Sequence, residues 1–257
     1  MIRTYLAILW AVIYLTGSIP VQIYAGIVGK KDPAKRDRIT MRQIQWTFGV
    51  LLKICGTKIE VRGRENIPEA GDSVLYISNH RSYFDIVATY VLMKGPTGYV
   101  AKQEFRNIPI FMTWMKYVHC LFLDRKDPKK AIRTMNSGVD ELKKGVSLWI
   151  CPEGTRTKTD SELEMMDFKA GSFKLAEKSK RPVLPVALTG TRNIYEGNGT
   201  FGGLHKIRKA HIIIEFGKPI PTEGMSPEER KELPERTRGI ILEMLKVHQN
   251  SRKKTDA

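Results

Sequence analysis

A histidine and an aspartate five positions apart, His80 and Asp85, are well suited to proton transfer. They lie in the stretch S-N-H-R-S-Y-F-D, which begins at Ser78. Side chains five apart on one straight helix point about 140° away from each other, so a turn must intervene for the two to meet. The S-x-x-D pattern of Ser82 and Asp85 predicts a helix from Tyr83, with His80 in the loop before it.

The carboxylate of Asp85 could then fix the imidazole tautomer and leave the other nitrogen of His80 as a base. In the structural alternative, Asp85 only caps a helix, Asn79 only shapes a turn and His80 is a polar loop residue. The pair alone does not decide between these two interpretations.

Three further blocks follow in order: F-L-D-R ending at Arg125, P-E-G-T-R ending at Arg156, and V-L-P-V at 183–186. Together with N-H-x4-D they resemble the four sequence blocks of the glycerolipid acyltransferases, the family of bacterial 1-acylglycerol-3-phosphate acyltransferase. The resemblance extends from about Val74 to Pro219. N-H-x4-D alone is a weak signal, but its combination with D-R and E-G-T-R is specific.

The resemblance implies transfer of a fatty acyl group to the sn-2 hydroxyl of 1-acylglycerol 3-phosphate (lysophosphatidic acid), giving phosphatidic acid for phospholipid biosynthesis. Glycerol 3-phosphate or another lysolipid is the alternative acceptor. The co-substrate would be acyl-CoA or an acyl carrier protein thioester, with no bound cofactor and no metal. His80 would act as general base and Asp85 as its orienting partner. The sequence has no G-x-S-x-G elbow and no cysteine in a nucleophile motif, so nothing indicates an acyl-enzyme.

Cations that follow predicted strands are the expected ligands of the acceptor phosphate. An arginine fork can hold a phosphate in a bidentate grip, which favours Arg125 and Arg156. The other members of this predicted group are Lys102, Glu153, Gly154 and Thr155. A salt bridge of Arg125 with Asp124, or of Arg156 with Glu153, is the structural alternative. Glu153 either anchors the loop or orients a substrate hydroxyl, and spacing does not decide between these roles.

A last group is expected to support the acyl-donor site or the local structure: Asn79, Lys169, Gly171 and Pro185. Lys169 and Gly171 lie in F-K-x-G, where a helix N-terminus at Gly171 could add amide donors. Pro185 lies within a predicted strand, where proline is expected at a sheet edge or a bulge. The resemblance assigns the block around Pro185 to the acyl-donor site.

Charge and cysteine content restrict the partners. The chain has 43 Lys and Arg against 27 Asp and Glu, a formal charge of +16, which favours an anionic partner. A non-enzymatic protein that binds membranes or nucleic acid is therefore a remote alternative, although no nucleic-acid-binding motif is visible. Cys55, Cys120 and Cys151 form no C-x-x-C and are expected to be reduced core residues of a cytoplasmic domain.

The N-terminal residues 4–29 carry no charge and are rich in apolar side chains. A continuous helix of this length could cross a bilayer, but Pro20 is expected to break or bend it. The flanks do not match a signal peptide, which favours a retained anchor. A basic cluster follows and is expected to meet anionic headgroups on the cytoplasmic side: Lys30, Lys31, Lys35, Arg36 and Arg38.

A second segment has apolar residues at helical spacing: Met41, Ile44, Phe48, Leu51, Leu52 and Cys55. This stripe is either a core-facing helix or the second half of a two-helix membrane anchor. The neighbouring uncharged run favours the anchor. We therefore expect a monotopic enzyme on the cytoplasmic membrane, with its catalytic domain on the cytoplasmic side.

From Gly56 onward, short apolar runs alternate with helical stretches. Strands are expected over 58–62, 73–78, 98–102, 118–124, 146–151, 182–188 and 211–216. Helices are expected over 83–93, 109–117, 128–144, 171–180 and 227–249, the last introduced by a capping box of Ser226 and Glu229. This alternation predicts an α/β domain with a largely parallel or mixed central sheet flanked by helices. The expected domains are an anchor at 1–56, an α/β acyltransferase domain at 57–250 and a polar tail at 251–257.

Overall fold

A seven-stranded sheet forms the centre of the computed structural model, which describes residues 1–201 and 203–255. The strands are β1 (Lys58–Arg62), β2 (Leu75–Ser78), β3 (Thr97–Lys102), β4 (Leu121–Leu123), β5 (Ser147–Ile150), β6 (Val183–Thr189) and β9 (His211–Phe216). Their order is β1-β9-β6-β2-β5-β3-β4, and every pairing is parallel except that between β6 and β9. The predicted α/β class with a mostly parallel sheet is confirmed. A two-stranded hairpin of β7 (Thr200–Phe201) and β8 (Leu204–His205) was not expected, because its strands are too short to show a period.

The helices are α1 (Ile2–Gly17), α2 (Ile19–Gly29), α3 (Pro33–Cys55), α4 (Phe84–Tyr90), α5 (Pro109–Tyr117), α6 (Pro128–Lys143), α7 (Lys174–Ser179) and α8 (Pro227–Thr255). The capping box at α8 is present, with Glu229 N–H donating to Ser226 Oγ and Ser226 N–H donating to the Glu229 carboxylate. The helix continues beyond the expected end at 249 to Thr255. The first five residues of the expected polar tail are thus helical, and Asp256 and Ala257 lie outside the described residues.

Alternate residues of the buried strands supply the two cores. On β2, Tyr76 packs with Trp149 and the apolar side chains of α3 and α4 on one face of the sheet. Leu75 and Ile77 pack on the other face with α6, α7 and α8. This two-residue alternation follows from the pleat of a strand. Burial on both faces explains why β2 reads as an apolar run.

The uncharged N-terminal run forms two helices that meet at Ser18 with a bend of 44°. Pro20 lies in the first turn of α2, where its missing N–H needs no intrahelical partner, so the expected break occurs just before it. Among the described residues, no single helix is long and apolar enough to cross a membrane, whereas the bent pair α1–α2 passes that test by length and composition.

Helix α3 corrects the prediction of a two-helix anchor. Its apolar stripe faces the protein core, with Met41, Ile44, Leu52 and Cys55 all buried among strand and α4 side chains. The stripe is therefore the core-facing helix that the sequence left as the alternative. Core and bilayer stripes have the same period, so sequence spacing could not separate them.

Candidate active site

The predicted site residues follow strands that are neighbours in the sheet. His80 comes after β2, Glu153 after β5, Lys102 ends β3 and Arg125 comes after β4. These four strands are parallel and adjacent, so their carboxyl ends meet at one edge of the sheet. In open α/β sheets this edge is where ligands bind.

The imidazole of His80 lies against the carboxylate of Asp85. The distance from Nδ1 of His80 to Oδ2 of Asp85 is 2.8 Å, and the same oxygen accepts the backbone N–H groups of Arg81 (2.8 Å) and Ser82 (2.9 Å). Asp85 is buried, while the His80 side chain keeps 19% exposure. No described residue bonds Nε2 of His80, so this nitrogen is available to a substrate hydroxyl.

Two buried polar side chains hold the histidine loop. Asn79 bonds both the N–H and the carbonyl of Leu188 on β6, at 2.9 Å each, and so extends the sheet contact beyond the end of β2. Glu153 accepts the backbone N–H of His80 at 2.8 Å and the N–H of Met166 at 3.0 Å. These hydrogen bonds give Asn79 a structural role, one of the two roles that the sequence left open for it.

The burial of Glu153 corrects its place among the phosphate ligands. Both carboxylate oxygens are occupied, Oε1 by His80 N–H and Oε2 by Met166 N–H and the Thr157 hydroxyl. A buried carboxylate with these partners cannot approach an anion, because like charges repel. Of the two roles that the sequence left open, the geometry favours the loop anchor.

Cations surround Gly154. A Cβ atom added there would lie 2.7 Å from Nζ of Lys169 and 3.8 Å from Nη1 of Arg125. Arg125 donates to the carbonyl of Gly154, and Gly154 has a φ of +78°, a conformation that favours glycine. Within the described part of the chain, Asp124 pairs with Lys130 at 3.8 Å, and no ion pair joins it to Arg125, as the structural alternative required. The backbone turn thus presents two exposed cations at the sheet edge.

Arg156 has a partner that spacing did not suggest. Its Nη1 lies 2.7 Å from Oε1 of Glu196, a residue in the loop after β6, and its guanidinium carbon lies 3.8 Å from the centroid of the Tyr83 ring. Among the residues that the structure describes, Glu153 bonds His80, Thr157 and Met166 and makes no ion pair with Arg156. Glu196 also accepts the Ser82 hydroxyl at 2.6 Å and the Tyr83 N–H at 2.8 Å.

The remaining predicted residues occupy different settings. Lys102 is exposed at the end of β3, and Thr155 is exposed in the loop after β5. Gly171 lies within a 3₁₀ turn of residues 170–172 rather than at the first turn of α7. These positions leave Lys102 and Thr155 open to solvent.

Pro185 lies inside β6, between β2 and β9, so the expected sheet edge is wrong, but the expected irregularity is present, because the antiparallel register shifts by one residue between the flanking Val186–Phe216 pair and Val183–Ile220 bridge. Its carbonyl accepts Gly217 N–H at 2.8 Å, just beyond the last residue of β9. The absent proline N–H faces this same side, at the interruption between the Val186–Phe216 and Val183–Ile220 pairs, where proline is tolerated.

Arg81 and Cys151 also contact this region. The buried Arg81 guanidinium donates to the carbonyls of Thr159 and Ser161 and so fixes the long loop after β5. Burial lowers the pKa of Arg81, opposed by the nearby carboxylate of Glu162. Burial raises the pKa of the Cys151 thiol, which disfavours the thiolate that a cysteine nucleophile requires.

Glu196 and Arg81 are the residues that sequence reasoning missed. Arg81 stands within the recognised block but in a variable position of the N-H-x4-D pattern. Glu196 is 114 residues from Ser82, and no local pattern marks a contact over that separation.

Comparisons with known proteins find related sequences and a similar fold. The yeast Saccharomyces cerevisiae 1-acyl-sn-glycerol-3-phosphate acyltransferase is 32% identical over 201 residues, which cover 77% of this chain and 63% of the relative. The Escherichia coli K12 protein of the same name is 30% identical over 195 residues, covering 76% of this chain and 75% of the relative. The crystal structure of the 1-acyl-sn-glycerophosphate acyltransferase PlsC from Thermotoga maritima matches the fold with a TM-score of 0.73 at 24% identity, over 96% of this chain and 98% of that one.

The sequence model of the acyltransferase family matches residues 58–189, which include the histidine loop, the cations around Gly154 and all of β6. His80 and Arg125, which follow the ends of β2 and β4, both lie within the matched residues. With the family model and the E. coli relative in agreement, the chain belongs to the acyltransferase family.

Proposed function

We propose that this protein transfers a fatty acyl group from an acyl thioester to the sn-2 hydroxyl of 1-acylglycerol 3-phosphate, giving phosphatidic acid. The observation that carries the proposal is the His80–Asp85 hydrogen bond at a sheet edge that also presents Arg125, Lys169 and Arg156. A base beside fixed cations suits an acceptor that has both a hydroxyl and a phosphate. The names of the yeast and E. coli relatives support this choice of acceptor.

The chemistry follows from the free nitrogen of His80. Nε2 takes the proton of the acceptor hydroxyl as its oxygen attacks the thioester carbonyl. The tetrahedral intermediate collapses to the ester, the carbon–sulfur bond breaks, and the imidazolium returns the proton to the departing thiolate. Asp85 holds the imidazole through Nδ1 and balances the imidazolium charge.

The acceptor phosphate would be held by Arg125 and Arg156, with Lys169 beside Arg125 and with Lys102 and Thr155 at the rim. The loop that carries Gly154 and Arg156 is tied to the histidine loop, because Thr157 N–H donates to the carbonyl of His80 at 2.9 Å. A phosphate bound to that loop is thereby positioned relative to the base. Such positioning converts binding energy into rate.

The apolar N-terminal helices suit an acceptor that resides in a bilayer. They expose a set of large apolar side chains to solvent: Ile2, Tyr5, Leu6, Leu9, Val12, Ile13, Ile23, Tyr24 and Ile27. Many large exposed apolar side chains on two consecutive helices are typical of a membrane-binding segment. We propose that α1 and α2 hold the enzyme on the cytoplasmic face of the membrane, with the basic cluster near Lys30 and Lys31 against anionic headgroups.

Parallel acceptor assays test the proposal. Purified protein in mixed micelles is given lysophosphatidate, glycerol 3-phosphate or uncharged 1-acylglycerol, each with acyl-CoA or acyl carrier protein thioester, and products are measured by mass spectrometry. We expect phosphatidate from lysophosphatidate and little product from the uncharged acceptor. Preferential acylation of glycerol 3-phosphate, or equal use of 1-acylglycerol, would overturn the acceptor assignment.

A further inference from the structure

The carboxylate of Glu196 contacts three donors from two separate parts of the site. Oε1 accepts the Tyr83 N–H at 2.8 Å and the Nη1 of Arg156 at 2.7 Å, and Oε2 accepts the Ser82 hydroxyl at 2.6 Å. Ser82 and Tyr83 lead into α4, which carries Asp85, while Arg156 belongs to the loop after β5. One side chain therefore joins the dyad helix to a proposed phosphate ligand.

The contact with Glu196 leaves the guanidinium of Arg156 suited to bind an anion. Nη1 is bonded to Glu196 and the Tyr83 ring lies against the guanidinium face, whereas no described residue bonds Nε or Nη2. These two nitrogens form an edge with parallel N–H groups, which is the geometry that binds a phosphate in a bidentate way. The Arg156 side chain is 29% exposed, so this edge is accessible.

The burial and hydrogen bonds of Glu196 explain how a carboxylate can lie so near a proposed phosphate site. Its side chain is only 14% exposed, and its oxygens already accept three hydrogen bonds. The carboxylate is thus directed into the protein and away from the open edge of Arg156. A hydrogen-bonded carboxylate of this kind orients a guanidinium while keeping the opposite edge free.

We infer that Glu196 is a positioning residue that aims Arg156 at the acceptor phosphate and, through the same carboxylate, fixes the start of the helix that carries Asp85. The inference rests on the proposed function, since it assigns the phosphate to Arg156. It assigns no contact between Glu196 and substrate. The binding of the phosphate and the alignment of the base are coupled through one residue from the loop after β6.

Steady-state kinetics of Glu196→Gln, Arg156→Ala and the double variant test this inference. Gln keeps the size of the side chain but loses the charge and places an amide N–H₂ against one of the three donors. We expect Glu196→Gln to raise the acceptor KM about tenfold, the effect of one charge-assisted hydrogen bond, with the acyl-donor KM within twofold of wild type. In the Arg156→Ala background the same substitution should change the acceptor KM less than threefold, because the group that Glu196 aims is gone.

A purely structural role makes a different forecast. It would lower the melting temperature, raise the KM values of both substrates alike and give the same loss with or without Arg156, whereas a lower kcat is expected in either case, because Glu196 also holds the start of α4. Glu223→Gln is the matched control. Glu223 pairs with Lys180 at 3.0 Å, and Lys180 precedes β6, at the end of the parallel strands opposite the candidate site. This control should leave both KM values unchanged.

Glu196→Asp provides a second variant in case Glu196→Gln does not fold. Asp keeps the charge on a side chain shorter by one methylene. The acceptor KM of the Glu196→Asp variant should therefore lie between that of the wild type and that of Glu196→Ala. An acceptor KM within twofold of wild type in Glu196→Gln or Glu196→Ala, or equal effects in both backgrounds, would overturn the inference. Failure of the proposed function is recognised separately, because Arg156→Ala alone would then show wild-type acceptor kinetics.

Discussion

Oδ2 of Asp85 accepts three N–H groups, one from the His80 ring and two from the backbone of Arg81 and Ser82. Backbone N–H groups can only donate, so this oxygen is a fixed acceptor. The ring proton of neutral His80 is therefore assigned to Nδ1, which leaves the lone pair on Nε2. The geometry prepares the imidazole to accept a proton from a hydroxyl.

Replacement of His80 by Ala should reduce acyl transfer by a factor of about 10² to 10⁴, the usual contribution of a positioned base. The side chain is partly exposed, and its one hydrogen bond to a described residue is that to Asp85, so the melting temperature should change little. Initial rates with saturating substrates and a thermal melt measure the two effects. A variant with more than half of the wild-type kcat would exclude His80 as the base.

Asp85→Asn should lower kcat severely and also cost about 1 to 3 kcal/mol of folding free energy. The amide oxygen can take the place of Oδ2, but the N–H₂ group then replaces Oδ1, which is buried and has no partner among the described residues. The charge that balances the imidazolium is lost as well. Chemical denaturation and kcat report the two losses independently.

Asp32→Asn is the matched control for this substitution. Asp32 caps α3 by accepting the N–H of Lys35 at 2.8 Å, and Asn is a comparable N-cap residue. Activity and stability should be retained in that variant. If Asp85→Asn were as benign as Asp32→Asn, Asp85 would be only a cap.

Replacement of Arg125 or Arg156 by Ala should weaken the use of lysophosphatidate by about 2 to 3 kcal/mol in kcat/KM, the range for hydrogen bonds to charged groups. Replacing Arg156 by Lys should preserve little of the acceptor use, because an ammonium group lacks the planar fork of donors that can bond Glu196 and a phosphate at the same time. Acceptor kinetics at constant acyl-donor concentration measure the change. Wild-type acceptor KM values in both alanine variants would refute the phosphate assignment.

The parts of this structure that could be predicted are those encoded by neighbouring residues. The apolar run of β2, the S-x-x-D pattern at the start of α4 and the capping box at Ser226 each depend on a few adjacent positions. Glu196 could not be found in this way, because its contacts with Ser82 and Tyr83 exist only after β6 has packed beside β2. Long-range contacts depend on the folded topology, which local periodicity does not specify.

The membrane proposal predicts the effect of charge on the exposed face of α2. Ile23 and Ile27 are one turn apart and are 59% and 63% exposed, so a double change to Asp should not disturb the core. It should greatly reduce sedimentation with vesicles that contain anionic lipid, because burying a carboxylate in the interface is unfavourable and repels the headgroups. Val247→Asp, at a similarly exposed apolar position on α8, is the control that should bind as wild type. Equal sedimentation of both variants would show that α2 does not contact the membrane.

The ion pairs of His119 predict that the folded protein loses stability at alkaline pH. Its Nδ1 bonds Glu141 of α6 at 2.7 Å, and its Nε2 forms an ion pair with Asp37 of α3 at 3.1 Å, which ties the N-terminal helices to the domain. Burial opposes protonation, but the neighbouring carboxylates of Asp37 and Glu141 outweigh it and raise the pKa of His119 to about 9 from 6.5. Lys144 and Arg36 contact the same two carboxylates from the other side.

Because the folded pKa of His119 is raised, its contribution to stability is complete below pH 6.5 and is lost as the pH rises through about 9. The shift corresponds to roughly 3 kcal/mol. His119→Asn is the appropriate variant, since His119 has a φ of +59° and Asn tolerates that conformation. Urea denaturation at pH 6 should show the wild type more stable than the variant by about this amount, and the difference should approach zero by about pH 10. A constant difference across this range would show that His119 stabilises the protein by packing and not by its charge.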